Sequence, residues 1–245
     1  MKLIQLNTLS GFAGRKILDF MREQNADFFH LQEVVSSPKG RSDFFDFLEN
    51  AQKSTKAEWV FFSPTHDYHF VKIPVYFGNA ILSQHKISHA YEEFTHQAYK
   101  KEYDTTTDSE LSKLFQHAVV TTAFGKQFNL VNYHGHNVKN VNKAGNAETE
   151  KHCQRIADFI ATLSGPLILS GDFNLAPDSK SLEPLNACLR NLCIENKVET
   201  TYTAMTDNNT VVDYIWVSSD ITVNRFEVLP DIVSDHAALL LEFDV

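Results

Sequence analysis

The chain has 245 residues, 43% of them hydrophobic and 22% charged, with 31 acidic against 22 basic side chains and a formal charge of −9. Those proportions exclude a disordered, collagenous or coiled-coil chain and fit a globular domain long enough to bury a large core. The acidic balance argues against a dense basic surface that grips duplex nucleic acid by counterion release, whereas surplus carboxylates suit a protein that holds divalent cations.

Lys2 to Leu6 reads as a buried strand ending at Asn7. Ala13 to Gln24 follows as a helix, with Ile17, Phe20 and Met21 at helical spacing. Asp27 to Leu31 reads as a second strand, stopping at Gln32-Glu33, and Asp43 to Ala51 as a second helix with Phe44, Phe47, Leu48 and Ala51 on one side. From Trp59 the runs EWVFFS, YFGNAILS, FQHAVVTTAF and FNLVNYH are strand-like, broken by Pro, Gly and Asn. Lys100 to Ser112 is polar and reads as a loop, and Tyr99 to Leu114 is the candidate specificity loop. Asn146 to Leu163 carries Cys153, Ile156, Phe159, Ile160 and Leu163 on one face of an amphipathic helix. Leu167 to Leu169 is an apolar strand running into Ser170-Gly171-Asp172, and Ser181 to Leu192 is a further helix. The chain closes with the strands VVDYIWVS, ITVNRFEVL and HAALLLEF.

Cys153, Cys188 and Cys193 form no C-x-x-C pair, so neither a disulfide framework nor a zinc knuckle is expected, and a reducing, cytoplasmic setting is. The opening MKLIQLNTLSGFAG meets Gln5 and Asn7 too early for a signal-peptide core. No run approaches the roughly 18 apolar residues of a membrane span.

The chemistry lies where polar residues interrupt the strands. Asn7 and Glu33 close the first two, His134 ends FNLVNYH, and Asp172 and Asn174 follow LIL. Asp213 sits between Val212 and Tyr214, and Asp235-His236 precede the last strand. Singly, such residues are turn formers, surface charges or hydrogen-bonded histidines. A carboxylate flanked by Val211, Val212, Tyr214, Ile215 and Trp216, however, needs a partner if buried. Together they supply what phosphate-ester hydrolysis requires. Carboxylates hold a hard cation, a carboxylate or carboxylate–histidine pair activates water, and neutral amides orient both.

The segments IQLNTL, LQEV, FGNAILS, LVNYHG, LSGDFNLAPDS, VVDYIWVS and VSDHAALLLEF run in order from residue 4 to residue 243. In that order they resemble the endonuclease/exonuclease/phosphatase superfamily, which includes pancreatic-type deoxyribonucleases, abasic-site endonucleases, inositol polyphosphate phosphatases and neutral sphingomyelinases. The resemblance implies one α/β domain over residues 1–245, a four-layer sandwich of two mixed β-sheets packed face to face with helices outside. It implies a Mg²⁺-dependent hydrolase, with Mn²⁺ as substitute, and a site at one end of the sheets. Carried over residue by residue, Glu33 is the principal metal ligand, Asn7 helps arrange metal or phosphate, and Asp235 lies near the metal. Asp172 and Asn174 position and activate water. Asp213 orients His236, which contacts the scissile phosphate or acts as base. His134 stabilises the pentacovalent phosphorus or assists leaving-group departure.

Two departures from the abasic-site branch stand out: Val34-Val35 replace the lysine that follows the glutamate there, and His134 stands where that branch has tyrosine. In the nucleases an upstream glutamate orients this histidine, but HFVKIPVYF offers only Lys72. A phosphodiester substrate, nucleic acid included, is expected first. The alternatives are a phosphomonoesterase acting on a small metabolite or lipid head group, and an inactive binding module, disfavoured because every acidic position is filled.

A calcineurin-type metallophosphoesterase lacks its D-x-H and G-N-H motifs here, and a metallo-β-lactamase-type zinc site would need aspartate where Val138 stands. Phe44, Phe45, Phe47, Phe61 and Phe62 read as core rather than as base-stacking platforms. His66, His69, His85, His89 and His96 lack ligand spacing and read as surface or half-buried, and His136 as a polar neighbour of the cleft. Lys139, Lys143 and His136 are candidates for a phosphate-binding rim.

Overall fold

The computed structural model describes residues 1–37, 46–70, 73–104, 111–139 and 141–245. In chain order the elements begin with β1 (Lys2–Asn7), α1 (Arg15–Gln24), β2 (Phe28–Ser36), α2 (Phe47–Thr55), β3 (Trp59–Phe70) and β4 (Ile73–Ser83). Then come β5 (Lys86–His96), β6 (Lys113–Thr121), β7 (Gln127–His134), α3 (Ala147–Ile160) and β8 (Leu167–Asp172). The last are α4 (Glu183–Cys188), β9 (Arg190–Asn191), α5 (Leu192–Glu195), β10 (Asp213–Val217), β11 (Thr222–Val228) and β12 (Leu239–Asp244). Among the described residues the strands form two six-stranded sheets, ordered β11-β12-β1-β2-β4-β3 and β5-β6-β7-β8-β10-β9. Each is mixed: β1 runs parallel to β2 and β7 parallel to β8, and the other pairs are antiparallel.

The period of two along β1 and β2 sets the layers. Ile4, Leu6, Phe29 and Leu31 turn outward and pack with Ile17, Phe20 and Met21 of α1 and Phe47 and Ala51 of α2. The opposite face carries Leu3 and Phe28 into the cluster shared with Val120, Phe128 and Leu130 of the second sheet. Beyond the second sheet, Cys153, Ile156 and Ile160 of α3 and Leu185 of α4 join Leu167, Leu169 and Trp216. The result is the expected four-layer sandwich.

The inner face changes character along its length. It is apolar at Leu3 and Phe28, becomes polar at Gln5, His30 and Gln32, and ends in Asn7 and Glu33. Gln5 donates to Asp213 (3.0 Å) and to Gln32 (2.9 Å), and Gln32 donates to Asn132 (2.6 Å). Asn132 donates to Gln116 (2.9 Å), which donates to Ser63 (2.9 Å). A buried network of this kind joins the sheets in one register, because each amide left without its partner would bear the full cost of desolvation.

Several boundaries differ from the sequence reading. The helix expected from Ala13 begins at Arg15, after a short 3-10 turn, because Leu9, Ser10 and Gly14 adopt positive φ. The second helix runs Phe47–Thr55, and the expected residues 43–45, Phe44 and Phe45 among them, lie outside the described residues. The expected Asn146 helix holds, with Asn146 itself as N-cap, its side chain accepting from Glu148 N and Thr149 N. The helix expected over Ser181 to Leu192 is divided: a 3-10 turn and α4 end at Cys188, and Leu189 turns extended. Part of the loop expected at Lys100 to Ser112, residues 105–110, lies outside the described residues.

Candidate active site

The second sheet places three site residues side by side. His134 pairs with Asp172 across β7 and β8, and Asp172 with Asp213 across β8 and β10. From the first sheet Asn7 faces this row, and its Nδ2 donates to Asp172 Oδ2 (3.0 Å) and Glu33 Oε1 (3.2 Å). The Oδ1 of Asn7 accepts from Leu9 N (3.1 Å), so the amide offers its nitrogen to the two carboxylates. His236, just before β12, completes the set. Its Nδ1 lies 2.7 Å from Asp213 Oδ2 and its Nε2 3.9 Å from Asp172 Oδ2.

Glu33 reaches this cleft through an extra residue in its strand. The strand does not stop at Glu33 as expected but continues to Ser36. Leu31 pairs with Ala80 and Val34 with Gly78, so Gln32 and Glu33 on β2 stand against the single Asn79 on β4. This is a β-bulge, and Glu33 sits in it at φ 54°. Leu31 and Val34 both pack outward as a result, and Glu33 is turned inward with 35% of its side chain exposed. Strain at such a position is commonly stored at functional sites.

Gly171 lies inside β8. A Cβ there would lie 1.9 Å from Tyr133 O, and its φ is +152°. The glycine therefore lets β7 and β8 approach, aligning His134 with Asp172, while Asn174 at φ 55° makes the turn. Gly171→Ala is expected to destabilise by about 2–4 kcal/mol. A loss below about 1 kcal/mol in urea denaturation would contradict this account of the close approach.

Asp172 is 1% exposed. Its Oδ1 accepts from Asn174 N (2.9 Å), and its Oδ2 accepts from Asn174 Nδ2 (3.2 Å) as well as from Asn7. Burial holds its carboxyl above the ordinary range, with the charge of Asp213 adding to the effect and His236 opposing it. Burial likewise raises Glu33, against the pull of Lys113 and Asn7. For His236 burial opposes the charged ring, but Asp213, Asp172 and Asp235 outweigh it and lift the pKa to about 10. Tyr202 pairs with His236 across an isolated bridge, and Thr201 Oγ1 accepts from Asp213 N (3.1 Å), which fixes the start of β10. Asp235 is half-buried, accepts from Ser234 Oγ (3.1 Å), and acts on His236 through its charge.

Lys113 was not singled out in the sequence, where it follows a polar stretch. It is 7% exposed at the start of β6, with Nζ 3.0 Å from His134 Nε2. An ammonium only donates, so His134 accepts at Nε2 and carries its proton on Nδ1. Burial and then Lys113 push the His134 pKa well below its ordinary value. Burial lowers Lys113 to about 8, against the charges of Glu33 and Asp172. A cation thus holds the place where a glutamate partner of His134 was sought. Lys143, expected on the rim, donates to Asn174 Oδ1 (2.6 Å) and Asn137 Oδ1 (3.0 Å), and so orients Asn174. Lys139 is exposed on an adjoining groove.

The donor set fits a divalent cation. One ligand atom each of Asp172, Asp213 and His236 lie within 4.8 Å of one another, but Asp213 already holds the His236 ring at 2.7 Å, so the pair adds charge beside the cation and the carboxylate of Glu33 is left to hold it. Among the described residues, Glu33 is the one carboxylate lining the neighbouring cavity of about 190 Å³, beside His134 and Lys113. Two carboxyls raised by burial gain from a positive ion, and oxygen donors suit a hard one. Buried carboxylates, a histidine oriented by an aspartate, and amides aimed between them make a metal-dependent phosphoester hydrolase.

The chain belongs to the Endonuclease/Exonuclease/phosphatase family, whose sequence profile matches residues 4–236. No curated protein sequence matches it. Among solved structures it is similar to an endonuclease/exonuclease/phosphatase from Bacteroides vulgatus at a TM-score of 0.74 and 15% identity, covering 100% of this chain and 98% of that one. It is similar to the human Nocturnin catalytic domain with bound sulfate at 0.72 and 19%, covering 100% and 93%. It is also similar to the mannosyl-6-phosphatase of Bacteroides thetaiotaomicron at 0.69 and 14%, covering 100% of both chains.

Proposed function

We propose that the chain is a Mg²⁺-dependent phosphodiesterase, with Mn²⁺ able to substitute, acting on small or single-stranded diesters. The observation that carries the diester is Lys113, which lines two cavities at once. One, of about 190 Å³, is walled by Thr65, His66, Tyr68 and Phe77. The other, a groove of about 430 Å³, runs past Tyr103, His136, Asn137 and Lys139. A phosphate bound beside Lys113 therefore has room for a substituent on each side. The charge of −9 weighs against a duplex as substrate.

Glu33 would hold the cation, fixed by the Asn7 amide, with Asp235 adding negative charge nearby. When bound, the ion would neutralise phosphate charge and the charge that develops in the transition state. Asp172, held by Asn7 and Asn174, takes the proton of the attacking water. His236, anchored by Asp213, is an imidazolium whose Nε2 donates to a non-bridging phosphoryl oxygen. As the new P–O bond forms and the ester bond breaks, the departing oxygen takes a proton from the Lys113–His134 pair.

Because Lys113 loses its proton near pH 8, turnover of alkyl esters should fall as pH rises through that value. Lys113→Arg should move the fall to higher pH. Lys113→Met should cost about 10²-fold on an alkyl leaving group and far less on p-nitrophenolate, which needs no proton. Equal losses on both would remove Lys113 from this role.

Assay of bis-p-nitrophenyl phosphate against p-nitrophenyl phosphate, with Mg²⁺ and with EDTA, tests the diester reading. Mg²⁺-dependent turnover faster on the diester is expected. Activity on the monoester alone would overturn it in favour of a phosphomonoesterase.

A further inference from the structure

A second cluster of metal-ligating side chains lies outside the catalytic set. His96 ends β5, Glu148 stands in the first turn of α3, and His152 follows one turn later on the same helix face. One ligand atom of each lies within 4.8 Å of the other two. His96 Nδ1 is 2.7 Å from Glu148 Oε1, and His152 Nε2 is 3.9 Å from the same oxygen. The two histidines are buried, at 7% and 5% exposure, and Glu148 opens to solvent. A third imidazole borders them: the His136 ring centroid is 4.5 Å from that of His96 and 6.5 Å from that of His152.

His152 is the informative member. Its Nδ1 is buried with no hydrogen-bond partner, and its Nε2 faces Glu148 beyond hydrogen-bonding distance. A buried ring nitrogen without a hydrogen bond is costly, and a helix that needed only packing at this position would be better served by leucine. Coordination at Nε2, the nitrogen that faces Glu148, would give the ring a partner on that side. The i, i+4 spacing of Glu148 and His152 on one helix face is a geometry that supplies two ligands at once, and the end of β5 brings the third.

We propose that His96, Glu148 and His152 bind a single transition-metal ion of the zinc type, separate from the catalytic cation. Two imidazoles and one carboxylate match the preference of Zn²⁺ for nitrogen donors, whereas Mg²⁺ and Ca²⁺ favour oxygen. Three protein ligands leave a fourth position, next to His136, for water. The ion clamps the end of β5 to the first turn of α3. It also neutralises Glu148, which lines the groove shared with Lys113 and His136.

The test is calorimetric titration of the metal-free protein with Zn²⁺ in a millimolar excess of Mg²⁺, which occupies the carboxylate site. One equivalent of Zn²⁺ is expected to bind at micromolar Kd or tighter. His152→Ala and Glu148→Gln should each weaken that binding by about tenfold or more. Asp172→Asn should leave it intact. Co²⁺ in place of Zn²⁺ should give visible d–d absorption that His152→Ala abolishes. Glu148 is exposed, so Glu148→Gln should unfold in EDTA at the same midpoint as the wild type, which keeps the result free of folding effects. Unchanged Zn²⁺ affinity in both the His152 and Glu148 variants would overturn the proposal. So would loss of the Zn²⁺ equivalent in Asp172→Asn alone, which would assign the ion to the catalytic cluster.

Discussion

Asp172→Asn should lower kcat by about 10³-fold, the range expected when a general base is removed, with a much smaller change in KM. The substitution keeps the shape of the side chain. It removes the group that takes a proton and puts an amide where Asn7 Nδ2 and Asn174 Nδ2 both need an acceptor. Rotation of the new amide can satisfy those donors only by turning its NH₂ toward Asn174 N, which now donates to Oδ1. The loss should therefore combine missing proton transfer with a misplaced Asn174. It should also persist at saturating Mg²⁺, because the defect is in chemistry rather than in metal affinity. Retention of more than about a tenth of wild-type kcat would show that another group takes the proton.

Glu33→Ala should lower activity by about 10³-fold or more at low Mg²⁺, and added Mg²⁺ should recover part of it, since removing a principal ligand acts first on metal binding. The protein should remain as stable as the wild type. Burial holds the Glu33 carboxyl above its ordinary range, so folding works against this charge near neutral pH, and its removal relieves that cost. Thermal melting in EDTA checks the second half of the prediction. Unchanged activity would take Glu33 out of the metal site, and a large fall in the melting midpoint would make its role structural.

The placement of Asn7, His134, Asp172 and Asp213 was legible because each is a polar residue at one end of a strand whose middle carries apolar residues. Period-two alternation turns all four to the inner face. Glu33 was legible as a candidate, but not for the right reason. Its strand runs on to Ser36, and only the bulge, invisible in the pattern of residue types, turns it inward. The strand β5 was missed because KISHAYEEFTH is polar on both faces, as an exposed edge strand can be. Missing it hid His96, whose partners Glu148 and His152 lie more than 50 residues further along. Lys113 was hidden in the same way: it is paired with His96 at the end of β5, and its burial does not follow from its neighbours in the chain. The amides Gln5, Gln32, Gln116 and Asn132 were visible as polar interruptions, but their linkage across the two sheets depends on a register that only the packed structure sets.

Diffraction from crystals soaked in Mn²⁺, with anomalous differences measured at the manganese edge, would test most directly whether the strand ends build one metal-dependent hydrolytic centre. A peak within bonding distance of the Glu33 carboxylate, on the side of the cleft facing Asp172 and His236, and its loss in Glu33→Ala, is the predicted result. A fully active protein whose manganese binds nowhere near Glu33 would contradict it.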